Sequence, residues 1–301
     1  MTVVEVDGHQ LSLSNLDKVL YPKTGFTKGE VIDYYARIAP VMLPHLQGRP
    51  MTFRRYPNGV DAPSFFEKNA SRATPDWVRR VTLPVPGSTM NRETIDFVVV
   101  DELATLVFAA NLAALEMHTP QWKVDALGKA RGVDRLVIDL DPGAPADVVT
   151  CAEVSLIVRD RLAADGLEAF AKTSGSKGLQ MYAALRPSDA DAVSTYVRGI
   201  AEELEAAHPD LVLSRMTRSL RGGKVFLDWS QNNGAKTTVA AYSLRARPRP
   251  TVSTPVTWDE VGAAAGGAPL SFTQADVLAR IADGDLFEPL LAATRPELPP
   301  A

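Results

Sequence analysis

The chain has 301 residues, 46% apolar and 23% charged, with 32 Lys and Arg against 36 Asp and Glu for a net charge of −4. That length gives one large or two small domains with an ample core. The composition excludes disorder and, taken as an average, a simple basic nucleic-acid coat protein.

A single cysteine, Cys151, excludes an internal disulfide and a four-cysteine zinc site and fits a reducing compartment. No leader peptide is read in residues 1–14. The most apolar stretch, residues 95–117, is interrupted by Asp96, Asp101, Glu102, Asn111 and Glu116, which excludes a spanning helix. A soluble cytoplasmic protein is expected, with no membrane partner.

In chain order, residues 29–46 place Val31, Tyr34, Tyr35, Ile38, Val41 and Met42 at helical spacing. Residues 95–100 read as a buried strand. Residues 101–117 read as an amphipathic helix with Asp101 and Glu102 in its first turn, ended before Pro120. A strand at 135–141 precedes a helix at 147–164, with Asp147 as cap and Gly166 as stop. Strands at 167–173 and 179–185 flank a short polar loop, and a helix follows at 190–207. Strands at 225–229 and 237–243 and a short helix at 274–282 complete the pattern. Mixed helices and strands predict an α/β (α+β mixed) fold. With no clean linker, a continuous two-lobed single domain over 1–301 is expected, its core at 8–285 and a flexible tail at 286–301.

Three motifs carry chemistry. Asp139-Leu140-Asp141 sits on a strand, where residues two apart share a face, so the two acids project together and Leu136, Ile138 and Leu140 face the core. Such a pair is either a solvated strand end or a divalent-cation ligand set that relieves the repulsion. Lys172-Thr173-Ser174-Gly175-Ser176-Lys177-Gly178 has the glycines, hydroxyls and lysine of a phosphate-binding loop but lacks the Walker spacing; an ordinary hairpin loop would look similar. Asp228 is a lone acid in the apolar run Val225-Phe226-Leu227-Asp228-Trp229 and needs a partner. That partner is either a basic side chain or a metal shared with Asp139 and Asp141, and the latter would make a two-metal phosphoryl-transfer site.

Charge is unevenly placed. Residues 214–250 hold eight basic residues, among them Arg221 and Arg245, against the single acid Asp228. Residues 49–80 hold seven against three, with Phe65-Phe66 beside Lys68. Cations interleaved with aromatics suit nucleic acid, although one of the two phenylalanines is expected in the core. Residues 190–210 and 257–301 are acidic. The distribution predicts a basic DNA-binding face around the acids and an acidic back. His9, His45, His118 and His208 read as structural on their own, and Cys151 as core.

Together these residues resemble the polymerase domain of bacterial DNA ligase D, in the archaeo-eukaryotic primase superfamily. The matching runs include Asn15–Pro22, Gly48-Arg49-Pro50, Arg54–Gly59, Phe65–Lys68, Glu116–Trp122, Asp139–Gly143, Thr173–Gly178, Lys224–Asn232 and Ala241–Arg245, in the family's order.

The resemblance implies a primase-type two-lobed core and a template-dependent nucleotidyltransferase of the primase-polymerase type. It would fill short gaps or extend ends in DNA repair. Asp139, Asp141 and Asp228 would be catalytic and hold two divalent ions, Mn2+ or Mg2+. His118, Ser174, Lys177 and Arg245 would contact the nucleoside triphosphate. Lys18 and Lys28 would grip a 5′-phosphate at a gap or end. Arg54, Phe65, Phe66, Lys68 and Arg221 would contact DNA. Ribonucleotides would be favoured.

A nucleoid-associated cytoplasmic enzyme working with a separate DNA ligase, and with an end-binding protein, is expected. The adenylylation string Lys-x-Asp-Gly is matched only by Lys123-Val124-Asp125-Ala126, without the glycine. A start at Met1 further favours a freestanding polymerase. Residues 82–94, where relatives carry a loop that brings broken ends together, match poorly and leave both end joining and excision-repair gap filling open. Alternatives are a non-catalytic gap- or end-binding repair module and a two-metal nuclease. A nuclease would not need the loop at Ser174–Lys177.

Overall fold

A computed structural model of the chain describes residues 1–85 and 92–300. The fold is mixed α/β, as the sequence predicts, and divides into two compact units: Met1–Ala130 with Thr237–Val252 and Thr273–Gly284, and Arg131–Lys236 with Ser253–Phe272 and Asp285–Ala301. The units exchange segments along the chain, which is why the sequence shows no linker.

The first unit opens with a hairpin, Thr2–Val6 against His9–Leu13. Its turn residues Asp7 and Gly8 both have positive φ, the conformation that makes Asp-Gly a tight hairpin turn. Helix Lys28–Leu46 starts at a capping box in which Thr27 and Glu30 satisfy each other's backbone N–H groups. Its buried Tyr34 and Tyr35 donate to the carbonyls of Tyr242 and Leu115, each at 2.7 Å. Those bonds tie the helix to an antiparallel sheet ordered Thr238–Val239, Ala114–Thr119, Thr52–Arg55, Phe65–Glu67.

Two readings change here. The helix expected over 101–117 spans only Leu103–Asn111. The chain then reverses through Ala113, at φ 57°, into the strand Ala114–Thr119. Leu115 and Met117 alternate with Glu116 and His118, a period of two hidden behind a helix-like apolar count. The strand expected over 237–243 shrinks to Thr238–Val239, because Tyr242 turns back at φ 66°. The strands Arg80–Pro84 and Thr94–Val98 pair with each other. The loop expected between them, within residues 82–94, falls on 86–91, outside the described residues.

The second unit is built on a sheet ordered Val212–Leu213, Val225–Asp228, Ala130–Pro142, Leu179–Ser188, Phe170–Thr173, Pro255–Val256. Along this order the pairs are antiparallel except the first. Helix Val148–Ala164 starts at Asp147, whose side chain accepts from Val149 N–H, and ends before Gly166 at φ 74°. It packs against strands Leu179–Ser188 and Val225–Asp228, with Cys151 fully buried. Helix Ala190–Ala207 covers the 3-10 turn Trp229–Asn232. The segment expected as a loose tail is anchored within this unit: Phe287 and Leu290 are buried, Arg186 N–H donates to Pro296, and Arg295 pairs with Asp134 at 3.1 Å.

Among the described residues no helix is long and apolar enough to cross a membrane.

One side chain fixes the central strand. Asn232 is buried, accepts from Val137 N–H at 2.8 Å and donates to the carbonyls of Val137 and Trp229 at 2.7 and 2.9 Å. Its amide continues the backbone ladder where strand Val225–Asp228 has ended. Asn232→Ala therefore leaves buried backbone groups unpaired. It should lower unfolding free energy by about 2–3 kcal/mol in urea titrations; a change below about 0.5 kcal/mol would show that the amide does not replace the ladder.

Candidate active site

The residues singled out from the sequence fall into two groups, one within each unit. In the second unit, Asp139 lies directly across the ladder from Asp228, and Asp141 lies across from Phe226. Asp139 and Asp141 share a face, as the alternation predicts. Asp139 is half-buried and Asp141 exposed.

The electrostatics follow from crowding. Burial first, then the charges of Asp141 and Asp228, push the Asp139 carboxyl up to about 7, against a hydrogen bond from Gln180 and the charge of Lys172. Asp141 is also raised, by burial and by Asp228, with Arg221 opposing. Lys172 is buried, and its ammonium donates to Gln180 Oε1 and Ser253 Oγ, both at 2.5 Å. Lys172, read from sequence as part of the phosphate-type loop, and Gln180, given no role there, thus form a support beneath Asp139. The signal was a lysine in the apolar strand Phe170–Thr173.

Asp228 ends its strand and caps the following turn. Its carboxylate accepts from Ser230 N–H at 3.0 Å, from Ser230 Oγ, and from Gln231 Nε2 at 2.7 Å. It is therefore not lone, and among the described residues it is paired with no basic side chain; Lys236 reaches it through Ser230 Oγ. Arg221 stands 3.9 Å from Asp141, lies 4.0 Å over the Phe226 ring, and keeps a buried Nε with no partner among the described residues.

Among the described residues, no three His, Cys, Asp or Glu side chains are gathered closely enough to hold a metal as they stand. The donor chemistry nevertheless fits a divalent cation. Burial together with the charges of Asp141 and Asp228 holds a proton on Asp139 near neutrality, and a cation would offset both the burial of the carboxylate and that repulsion.

The loop Ser174–Gly178 borders these acids. Gly178 lies so near the carboxylate strand that a Cβ there would sit 2.0 Å from the Leu140 carbonyl oxygen. Ser174 Oγ accepts from the N–H groups of Ser176 and Gly178, both at 3.2 Å, and Gly175 has φ 66°. Lys177 is exposed and makes no ion pair among the described residues. The loop is thus a tight backbone turn with an available cation at its tip.

In the first unit, His118 and Arg245 meet at a residue given no role from sequence. Glu116 is buried. It takes His118 Nε2 at 3.2 Å, Arg245 Nε at 3.2 Å and Ala246 N–H at 3.1 Å, with Arg54 Nη1 at 3.8 Å. Burial pulls its carboxyl upward, but the His118 hydrogen bond and the Arg245 charge win and hold it at about 2.

The Arg54 guanidinium lies over both Tyr56 and Phe66, and Arg55 over Phe65. Both phenylalanines are exposed, at 46% and 58%, so neither belongs to the core. The shared cause is a short strand, Phe65–Glu67, at the edge of its sheet. Lys68 is exposed beside them. Lys18 donates to Asn58 at 2.8 Å. Lys28 is buried with only Ser14 as acceptor; burial, Lys18 and Arg55 lower its pKa.

The expected separation of charge is only partial. Arg215, from the basic run, pairs with Glu205 of the acidic helix at 2.9 Å, and Arg161 pairs with Glu203 at 2.9 Å.

Asp139 makes a pH prediction. Its folded pKa lies above the ordinary aspartate value, so the unfolded chain releases this proton at lower pH. Stability of the metal-free protein should therefore fall as pH rises from about 4 to about 7, by roughly 2–4 kcal/mol at most. Denaturant titrations across that range should show the fall in wild type and its loss in Asp139→Asn. An unchanged slope in the variant would remove Asp139 as its source.

Comparison with known proteins adds the family. Residues 27–287 match the model of the LigD primase-polymerase domain. The LigD of Mycobacterium tuberculosis H37Rv, a multifunctional non-homologous end joining DNA repair protein, is 47% identical over 288 residues, covering 93% of this chain and 37% of the relative. The bifunctional LigD of Bacillus subtilis is 31% identical over 274 residues, covering 90% of this chain and 42% of its own. The chain thus spans less than half the length of these curated relatives. The solved polymerase domain of M. tuberculosis ligase D, in complex with DNA, superposes with a TM-score of 0.89 at 46% identity, covering 94% of this chain and 99% of that one. The chain belongs to the LigD primase-polymerase domain family, and it is a nucleotidyltransferase of that primase-type fold.

Proposed function

We propose that this chain extends a primer terminus at gaps or broken ends in DNA, templated by the opposite strand, as part of end repair. The observation that carries the reading is the placement of the Ser174–Gly178 turn against the strand that bears Asp139 and Asp141, with Asp228 across the ladder. Carboxylates beside a phosphate-type turn suit transfer of a nucleotidyl group better than hydrolysis, which does not need a triphosphate cradle.

Ser174 Oγ, the turn's N–H groups and Lys177 would bind and orient the triphosphate, with Lys177 facing the charge that develops on the pyrophosphate. Asp139, Asp141 and Asp228 would hold two divalent ions, manganese or magnesium. When bound, such ions activate the attacking 3′-hydroxyl and stabilise the leaving oxygen. His118 and Arg245 would contact the incoming nucleotide, and ribonucleotides would be favoured.

Arg54, Phe65, Phe66, Lys68 and Arg221 would hold DNA by charge and by stacking. Lys18 and Lys28 would take the 5′-phosphate beyond a gap or at an end; the buried Lys28 ammonium has no acidic partner among the described residues. The end-joining names of the relatives favour broken ends over excision-repair gaps. A ligase activity would seal the product, and an end-binding protein would bring ends together. A cytoplasmic site of action, at the nucleoid, follows from that substrate.

Primer extension on gapped duplexes and on paired ends, with ribo- and deoxyribonucleotides in parallel and manganese present, tests the activity. Wild type should extend and Asp139→Ala should not, while gel-shift affinity for the same DNA stays within a few-fold. Full extension by the variant would refute the carboxylate assignment, and DNA degradation without nucleotides would favour a nuclease. For the phosphate grip, Lys18→Ala with Lys28→Ala should erase the preference for 5′-phosphorylated gaps. It should also shallow the salt dependence of binding by about two counterions. An intact preference would place the phosphate elsewhere.

A further inference from the structure

His118 is joined to Glu116 through Nε2. Glu116 is ionised at any working pH, and an ionised carboxylate can only accept. The proton in that bond therefore sits on Nε2. The other ring nitrogen, Nδ1, has no hydrogen-bond partner among the described residues and is not sealed from solvent.

Burial, and then the charges of Arg245 and Arg54, lower the affinity of His118 for a second proton, although Glu116 opposes them. The ring is thus neutral, and Nδ1 presents a bare lone pair. A phosphate oxygen would be repelled there, whereas a hydroxyl would donate to it. Phosphate has other donors at hand, because Arg54 and Arg245 both flank the same carboxylate. Thr52, opposite His118 in the ladder and so on the same face, carries a buried hydroxyl with no partner among the described residues.

We propose that Glu116 is a positioning residue that fixes His118 as its Nε2–H tautomer, so that Nδ1 accepts a hydrogen bond from a sugar hydroxyl of the bound nucleotide. This rests on the nucleotide-binding reading of His118 given above. Glu116 touches no substrate itself. It sets which atom of His118 is donor and which is acceptor, as a neighbouring hydrogen bond does for histidines in general. It also seats Arg245 and Arg54 at the same point. Four charged or titratable groups in one largely buried cluster are costly relative to apolar packing, which suits a role in arrangement rather than in stability.

Nitrogen NMR of the four imidazoles, with His118 assigned by difference from His118→Ala, reads the tautomer in the wild-type protein without any activity. Nε2 should be protonated and Nδ1 bare at neutral pH. A protonated Nδ1 overturns the proposal. Kinetics with ribo-, 2′-deoxy- and 3′-deoxynucleotides then identify the hydroxyl. Glu116→Gln should raise KM for nucleotides carrying it about three- to ten-fold, the value of one neutral hydrogen bond. It should leave kcat nearly unchanged and raise KM clearly less for the analogue that lacks the hydroxyl. Glu116→Asp should restore part of the difference, and the hydroxyl-dependent part of the loss should not recur when Glu116→Gln is added to His118→Ala, any loss common to all analogues being the share of Arg245 and Arg54. An equal rise in KM for every analogue would show a merely structural role. If His118→Ala alters no nucleotide's KM, the nucleotide-binding reading of His118 fails and the proposal with it. If the wild type extends no primer, the polymerase reading fails, while the NMR result still decides the tautomer.

Discussion

Two like charges face each other across one ladder. Asp139 and Asp228 occupy opposed positions on antiparallel strands, and Asp141 stands on the same face as Asp139. Like charges directly opposite destabilise a sheet, so the surrounding residues are arranged to hold them there. Gln180, paired with Asp139 on the other side, donates to it and is itself held by the buried Lys172. Ser230 and Gln231 take up the Asp228 oxygens, and Lys236 answers through Ser230. Asn232 then replaces the missing strand with its own amide. These groups fix the strand ends but leave the Asp139 carboxyl raised, by burial first and then by the charges of Asp141 and Asp228.

The first unit carries the opposite problem. Cations gather there around too few acids. Glu116 serves His118, Arg245 and Arg54 together. Lys28 is buried with only a serine as acceptor among the described residues, and its pKa falls through burial first and then through the nearby Lys18 and Arg55. Arg54 and Arg55 lean on the exposed Phe66 and Phe65 rings as well as on carboxylates, Arg55 pairing with Glu67 at 2.6 Å and Arg54 standing 3.8 Å from Glu116. Guanidinium groups over aromatic faces remain available for an anion while keeping fixed directions.

Much of this was legible from residue order. The alternation at Asp139-Leu140-Asp141 placed both acids on one face, because a strand has a period of two whatever surrounds it. Asp147 declared its cap, and Gly175 and Gly178 marked a short polar loop between two strands. Other features were hidden because they depend on contacts distant in sequence. The reversal at Ala113 needs a positive φ at a residue that does not advertise one, so the strand Ala114–Thr119 looked like a helix. Glu116 looked like a helix-surface acid until Arg245, 129 positions away, was folded onto it. Lys172 looked like part of the phosphate loop, yet its ammonium points into the sheet's polar interior. The tail read as loose because Pro, Glu and Ala carry no pattern, although Phe287 and Leu290 are the residues that anchor it.

These two imbalances have a common logic. Replacing a buried charge cluster by apolar residues of similar volume is often neutral or stabilising, so folding alone does not call for either arrangement. Each has a ligand of opposite sign that would complete it. Crowded carboxylates in the second unit call for divalent cations, and under-compensated cations in the first call for a phosphate chain. A globally acidic protein can therefore handle nucleic acid, since attraction is set by local charges within about 10 Å rather than by the sum over the chain. Partial neutralisation of the basic run by Glu205 sharpens the point. The cations left open to such a ligand are not the most numerous but those, like Lys28 and Lys177, that have no acidic partner among the described residues.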